Sequence, residues 1–444
     1  MIDLAQNIIR QALAAGATDA ECTISEGEEF SAQVRLGELE TLKEAGSRGA
    51  GLRVLIGKYT GASYTSDLSP EGVSQMVAAA LELAKITNED PFAGLPEPDE
   101  LGSFRGELNL YSPDIEPLDP AFRIELAKTA ERAALSFDPR ITNSEGAGFD
   151  THLGHRVFAN SRGFAGEYRS SSCSLSVVPV AKLEGQMERD YWFHSSRSFR
   201  KLEDPASIGR RAAERVLRRL GSVKVQTQRV PVIFEPRTAR AILGNIFEAV
   251  EGRSVYRQST FLANKLGEQV ASKNVTVIDD GTMPGLFGSS PFDAEGVPTR
   301  RTPIIQNGIL KSFLLNTYSA KKLGMKSTGS ASRGITGNAG VGHGNFYLET
   351  GSRTPEELIA SVKNGFYVTE LIGSGVNVAT GDYSQGAAGI WIENGELTYP
   401  VSEVTVAGTL QQILMSLEAG NDLEFRGSVA SPTILIEEMT VGGR

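Results

Sequence analysis

Sulfur and imidazole are scarce in this chain of 444 residues, which has two cysteines, Cys22 and Cys173, and four histidines, His152, His155, His194 and His343. Two distant cysteines with no Cys-x-x-Cys fit a reducing compartment and make a structural disulfide unexpected. His152 and His155 are three apart in a strand-like region, so they point to opposite faces. A zinc site built from these four histidines is not expected. Long apolar runs are missing too, which argues against a membrane-spanning helix. The first residues carry an early acid, Asp3, and no basic region of the kind that opens a secretory signal. A cytoplasmic protein without membrane contact is the expectation. Positive charge is also short. The net charge is −10, a poor match for nucleic acid, which is bound through basic surfaces. The local cluster Arg210, Arg211, Arg215, Arg218 and Arg219 reads as one solvated helix face. The stretch Gly329–Gly344 contains Gly334, Gly337, Gly340, Gly342 and Gly344 but no Gly-Lys-Ser/Thr, so it reads as a mobile loop over a cleft rather than a phosphate loop. No Ser-His-Asp or Cys-His set is evident.

What remains is an ordinary globular composition, 40% hydrophobic and 22% charged, in a chain long enough for two or three domains. The first part repeats a plan. A helix at 3–15 is followed by strand-like segments, among them 30–36 and 51–56, and by a helix at 70–86 with Ser69 as N-cap. After a linker at 88–113 come a helix at 120–135, strand-like segments at 156–160, 165–168 and 172–178, and a helix at about 205–220. This helix-strands-helix repeat predicts two similar α/β layers packed together, in halves of about 1–87 and 114–222 within an N-terminal α/β region, 1–222. Residues 223–444 read differently. Asn307-Gly308 and Asn394-Gly395 are preferred hairpin turns between apolar segments. Thr354-Pro355-Glu356-Glu357 is a capping box opening a helix that runs to about 364. Residues 407–419 read as a helix and 431–441 as a final strand. The fold class is therefore α+β, with a β-rich, barrel- or sandwich-like C-terminal domain.

Within that domain Phe247-Glu248-Ala249-Val250-Glu251-Gly252 closes an amphipathic helix whose apolar stripe is Ile242, Ile246 and Val250. On its own this is a common helical string, with Phe247 as buried core and Glu248 and Glu251 as polar positions. Asp382, Tyr383 and Ser384, in Thr380–Gly389, read either as a hydrogen-bonding lip or as a tight connection into the strand 390–392. With His343 they are the peptide-binding candidates.

Three stretches taken together carry a resemblance: Val275–Thr282, Gly381–Gly389, and Ile392–Glu396 with Tyr399–Glu403. In order and spacing they resemble the PmbA/TldE branch of the TldD/PmbA family, over the whole chain, with the N-terminal half matching mostly in plan. The resemblance implies that 247–252 corresponds to the zinc helix His-Glu-x-x-x-His of the TldD branch. Such a helix must break between its histidines, which otherwise stand about 140° apart. The family's glycine for that break is Glu251 here, so the break is expected to be absent or displaced to Gly252. Phe247 and Gly252 stand where the histidines belong, and no cysteine follows Cys173, so the third ligand is missing as well. Only Glu248 is kept. The resemblance thus implies no metal and no catalytic residue in this chain, with zinc in a TldD-like partner subunit and unfolded or short peptides as substrate. A homodimeric peptidase with an unforeseen metal site and a non-enzymatic regulator, after the family's old label as a modulator of DNA gyrase, are the alternatives.

Overall fold

The computed structural model describes residues 1–443. Helix α1 (Ile2–Ala14) leads into three strands, β1 (Asp19–Arg35), β2 (Glu38–Ile56) and β3 (Tyr59–Thr65), and then helix α2 (Pro70–Ile86). After the linker, α3 (Pro120–Leu135) precedes β4 (Ile141–Asn160), β5 (Ala165–Leu183), β6 (Gln186–Arg189) and β7 (Trp192–Ser196), and α4 (Pro205–Leu217) closes the region. Three of these helices start alike. Ser69, Asp119 and Asp204 each accept a backbone N–H of the first turn, and a proline follows at the first helical position, where its missing donor costs nothing.

The two helix-strand-helix units do not form two stacked layers. Their strands join in one seven-stranded sheet, in the order β3-β2-β1-β4-β5-β6 with β7 also on β5. β1, β2, β4 and β5 are 17, 19, 20 and 19 residues long. They are long enough to pass under both helix pairs. At one end Cys22, Ile24, Leu52, Val54 and Val157 pack beneath α1 and α2. At the other, Phe30, Ala32, Val34, Phe149, Cys173 and Leu175 pack beneath α3 and α4. The separate strands expected at 30–36 and 51–56 are halves of continuous ones. Their middles, such as Glu26-Gly27-Glu28-Glu29, carry no apolar alternation because they line the gap between the helix pairs.

The C-terminal domain is built on a closed five-stranded barrel. β8 (Gln228–Phe234) pairs with the strand Ile434–Gly442, which pairs with Glu396–Thr409, then Asp382–Glu393, then Asn364–Ile372, which returns to β8. Val232, Phe234, Phe366 and Val368 face the main core, and the alternate residues Ile233 and Tyr367 face a smaller cluster with Leu358 and Ile392. A second five-stranded sheet includes Val277–Asp280, Arg301–Gln306 and Asn345–Leu348. Both Asn-Gly pairs are hairpin turns with positive φ at each residue. Two helices are shorter than expected. The capping-box helix ends at Ala360, because the carbonyls of Val362 and Lys363 receive Gly395 and Asn394 of the hairpin turn. The helix expected at 407–419 is confined to Leu410–Ser416, between strands ending at Thr409 and starting at Leu417.

Two polar contacts tie the regions together. In the first, Arg333 of the glycine-rich stretch enters the N-terminal sheet and pairs with Glu21, which also binds Arg53 at 2.9 Å. Burial pulls the Glu21 carboxyl upward, but the two guanidiniums outweigh it and hold it below the ordinary value. Arg53 continues to Asn338 (2.8 Å), and Arg156 donates to the Arg333 carbonyl (2.7 Å). Ile335 lies so close to Gly51 that a Cβ there would stand 1.5 Å from its carbonyl oxygen. In the second contact, the arginine cluster at the end of α4, expected to be solvated, is buried at Arg215 and half-buried at Arg218 and Arg219. Arg215 pairs with Glu235 and Asp190, Arg218 with Glu235, and Arg219 with Glu188 and Glu370, leaving Arg210 and Arg211 exposed.

Removing Glu21 strands two guanidiniums in a buried site. We expect Glu21→Ala to cost about 3–5 kcal/mol in chemical denaturation, and a loss under 1 kcal/mol would show that Arg333 and Arg53 are not held as described.

Candidate functional site

The helix that carries the degenerate motif, α5 (Pro236–Val250), starts at the second contact, with Glu235 as its N-cap. Its stripe Ile242, Leu243, Ile246, Ala249 and Val250 is buried in the main core. Phe247 is half-buried rather than buried, since it stands about 100° around the helix from Ile246. Its ring meets His343 edge-on at 4.8 Å and Phe346 at 6.0 Å between centroids. Glu248 is exposed. The helix does break, one residue earlier than Gly252. Glu251 is extended (φ −71°, ψ 140°), and its carboxylate caps the short helix α6 (Gly252–Tyr256) by accepting Ser254 N–H at 3.0 Å. A glutamate serves here because the residue that ends one helix is also the N-cap of the next.

These positions do not fit a zinc ion. Phe247 offers no donor. The Gly252 N–H donates to the Leu314 carbonyl at 2.8 Å, and a Cβ on Gly252 would lie 2.3 Å from Ser319 Oγ. No group of three His, Cys, Asp or Glu among the described residues is arranged to hold a metal. His155 is instead turned to Glu167 and Glu26, while His194 accepts the Glu203 N–H.

Around this point lies a cleft of about 570 Å³ between the two regions. Its walls are Arg53 and Thr60 from the N-terminal sheet, Asp90 to Gly94 from the linker, Glu251, Arg253 and Tyr256 from the motif, Tyr318 and Ser319 from helix α7 (Thr317–Leu323), and Asn338–Val341. The glycine-rich stretch, read from sequence as a mobile loop over a cleft, forms one wall of it and is fastened at Arg333 and Ile335. Tyr318 meets Tyr256 and Phe92 edge-on, and Lys322 stands 4.1 Å over the Phe92 ring.

Behind this stretch are buried carboxyls that sequence reasoning missed. Asp279 accepts the Gly344 N–H at 2.7 Å, and burial, with Asp280 adjacent, pushes its pKa up to about 7. Asp293 accepts the N–H groups of Glu295, Val297 and Ala331, and burial together with the Glu295 charge pushes it up to about 7. Asp279 and Asp293 share a cavity of about 180 Å³ with His343. Asp279 lies within the stretch Val275–Thr282 that carried the resemblance, and Asp293 lies outside all of the matching stretches.

Asp382, Tyr383 and Ser384 sit at the start of a barrel strand. Asp382 and Ser384 are exposed and Tyr383 is buried, its hydroxyl without a hydrogen-bond partner among the described residues. Asp382 accepts the Thr380 hydroxyl at 2.6 Å. They do not line the cleft, and no described ring contact or hydrogen bond joins them to His343.

Two expectations test this geometry. Asp279 keeps its proton in the folded state at pH values where the unfolded chain has lost it. Its contribution to stability is therefore fully present in the acidic range and is lost as pH rises through about 7. Asp279→Asn should flatten the fall in Tm between pH 5.5 and 7.5 relative to the unsubstituted protein, and an unchanged slope would remove the argument. Restoring imidazoles should not restore a site: Phe247→His combined with Gly252→His should take up no zinc that survives dialysis, because Ser319 occupies the place of the second side chain.

Family models match nearly the whole chain in three parts: PmbA/TldA metallopeptidase domain 1 at 20–84, the central domain at 113–220 and the C-terminal domain at 227–443. Metalloprotease PmbA of Escherichia coli O157:H7 is 40% identical over 434 residues, covering 97% of this chain and 94% of its own length. The Metalloprotease PmbA homolog of Haemophilus influenzae is 38% identical, covering 98% and 94%. A Bacteroides thetaiotaomicron protein named for modulation of DNA gyrase superposes with a TM-score of 0.93 at 30% identity, covering 100% of this chain and 98% of its own. TldE of Thermococcus kodakarensis shares the fold, with a TM-score of 0.87 at 24% identity over 99% and 100%. The chain belongs to the PmbA/TldD metallopeptidase family, in its PmbA (TldE) branch.

Proposed function

We propose that this protein is the non-catalytic subunit of a cytoplasmic zinc-dependent peptidase, paired with a TldD-like chain that carries the metal and cleaves unfolded or short peptides. The observation that carries the reading is the filling of both motif positions, Phe247 by its ring contacts and Gly252 by its packing on Ser319. Zinc in the partner's His-Glu-x-x-x-His helix supplies the polarised carbonyl and the activated water. This chain's part is to hold substrate. Tyr256 and Tyr318 offer the cleft flat apolar surface, and Arg253 and Asp90 offer charges of both signs for a peptide backbone and its ends. An open edge runs on from the same sheet. β3 pairs with β2 only from Ala50 onward, so residues 38–48 pair with β1 alone and leave one side free for an extended peptide to add as a strand.

The test assays this chain, a TldD-like chain and their mixture on an unstructured peptide. We expect chelator-sensitive cleavage from the mixture and none from this chain, with folded proteins spared. Chelator-sensitive turnover by this chain alone, undiminished by Glu248→Gln, would overturn the reading.

A further inference from the structure

At the second contact, away from the cleft, lies a separate cavity of about 420 Å³. Its apolar walls are Trp192, Phe193, Pro236, Pro355 and Val429. Its charged walls come from two helices. Arg211 and Arg215 stand on α4 with Arg218 at its C-cap, Arg237 and Arg240 on the first turns of α5, and Arg426 reaches in from the segment before the last strand. Three of these cations, Arg215, Arg218 and Arg237, share only two carboxylates, Glu235 and Asp190. Burial raises both carboxyls, but the arginines outweigh it, so both stay ionised at neutral pH. Arg426 brings two more carboxylates, Glu203 and Glu424, so the ion-paired groups of this set balance in charge. Two more arginines are uncommitted. Arg211 touches only the face of Trp192, at 4.3 Å, and Arg240 has no hydrogen bond or ion pair with another described residue. Arg426 covers the same indole at 4.5 Å and is matched by Glu203 and Glu424. A cavity with aromatic walls and two guanidiniums that pair with no carboxylate has the chemistry of an acid-binding site.

We infer that this cavity binds a small organic carboxylate, its anionic end held by Arg211 and Arg240 and its apolar body against Trp192 and Pro236. A planar carboxylate matches the guanidinium fork. A dianion such as phosphate fits less well, because Glu214, Asp422 and Glu424 also stand in the wall. The site is independent of the peptidase reading, since it shares no lining residue with the cleft.

The experiment is titration calorimetry of the full chain with hippurate, an aromatic carboxylate, against hippuramide, its uncharged amide. We expect saturable binding of hippurate, none of hippuramide, and no displacement by inorganic phosphate. Arg211→Gln with Arg240→Gln should weaken hippurate roughly 10- to 100-fold with little change in Tm, because neither guanidinium has a hydrogen bond or ion pair to lose and Arg211 gives up only its contact with the Trp192 ring. Competition by Gly-Gly-Phe but not its C-terminal amide would assign a peptide end as the source of the carboxylate, and its failure to compete would assign a free acid. Equal binding of hippurate and hippuramide, no saturable binding at millimolar hippurate, or unchanged affinity in the double variant would overturn the inference.

Discussion

The ion pair between Arg333 and Glu21 sets the position of everything around the cleft. Glu21 lies near the start of β1 with its carboxylate fully buried, and Arg333 comes from the other region of the chain. A charge buried in this way is tolerable only when it is paired. Glu21 has Arg53 of its own sheet as one partner, but the buried Arg333 has Glu21 as its ion-pair partner, so its charge is matched only when the two regions meet. Once the pair forms, Ile335 seats on Gly51, Arg53 turns to Asn338, and the backbone from 338 to 341 becomes a wall of the cleft.

The other contact uses the same device, with Glu235 and Asp190 inside a group of arginines. α5 starts at this contact. Its N-cap is Glu235, and its far end is Glu251, which turns the chain into α6 beside the cleft. The degenerate motif thus lies on a helix held at its start by the buried Glu235 and ended by the half-buried Glu251, which caps α6. Buried polar contacts of this kind contribute less net stability than an apolar interface of the same size, but they are strict about geometry.

Much of this was legible in the sequence, and what was not has physical reasons. The capped helix starts, both Asn-Gly hairpins and the change to a β-rich half were readable because each depends on residues adjacent in the chain. The single long sheet was not, because the polar centres of its strands sit in the gap between helix pairs and break the period-two pattern. The paired arginines at the end of α4 looked solvated because their partners, Glu235, Asp190 and Glu370, are remote in sequence. Phe247 was assigned to the correct helix, but its exposure depended on His343 and Phe346, nearly 100 residues away. Glu251 looked like an unbroken helix position, and only the structure shows that one carboxylate ends α5 and starts α6. The raised carboxyls Asp279 and Asp293 left no local trace, since a pKa depends on burial that the tertiary fold creates.

The central claim is that this chain supplies structure and substrate contact to a metal site that it does not contain. Zinc analysis of the dialysed complex of this chain with a TldD-like partner, followed by separation of the subunits, tests it most directly. The account expects about one zinc per pair, all of it with the partner, and a metal-free chain here. Zinc near one equivalent remaining on this chain after separation would contradict it.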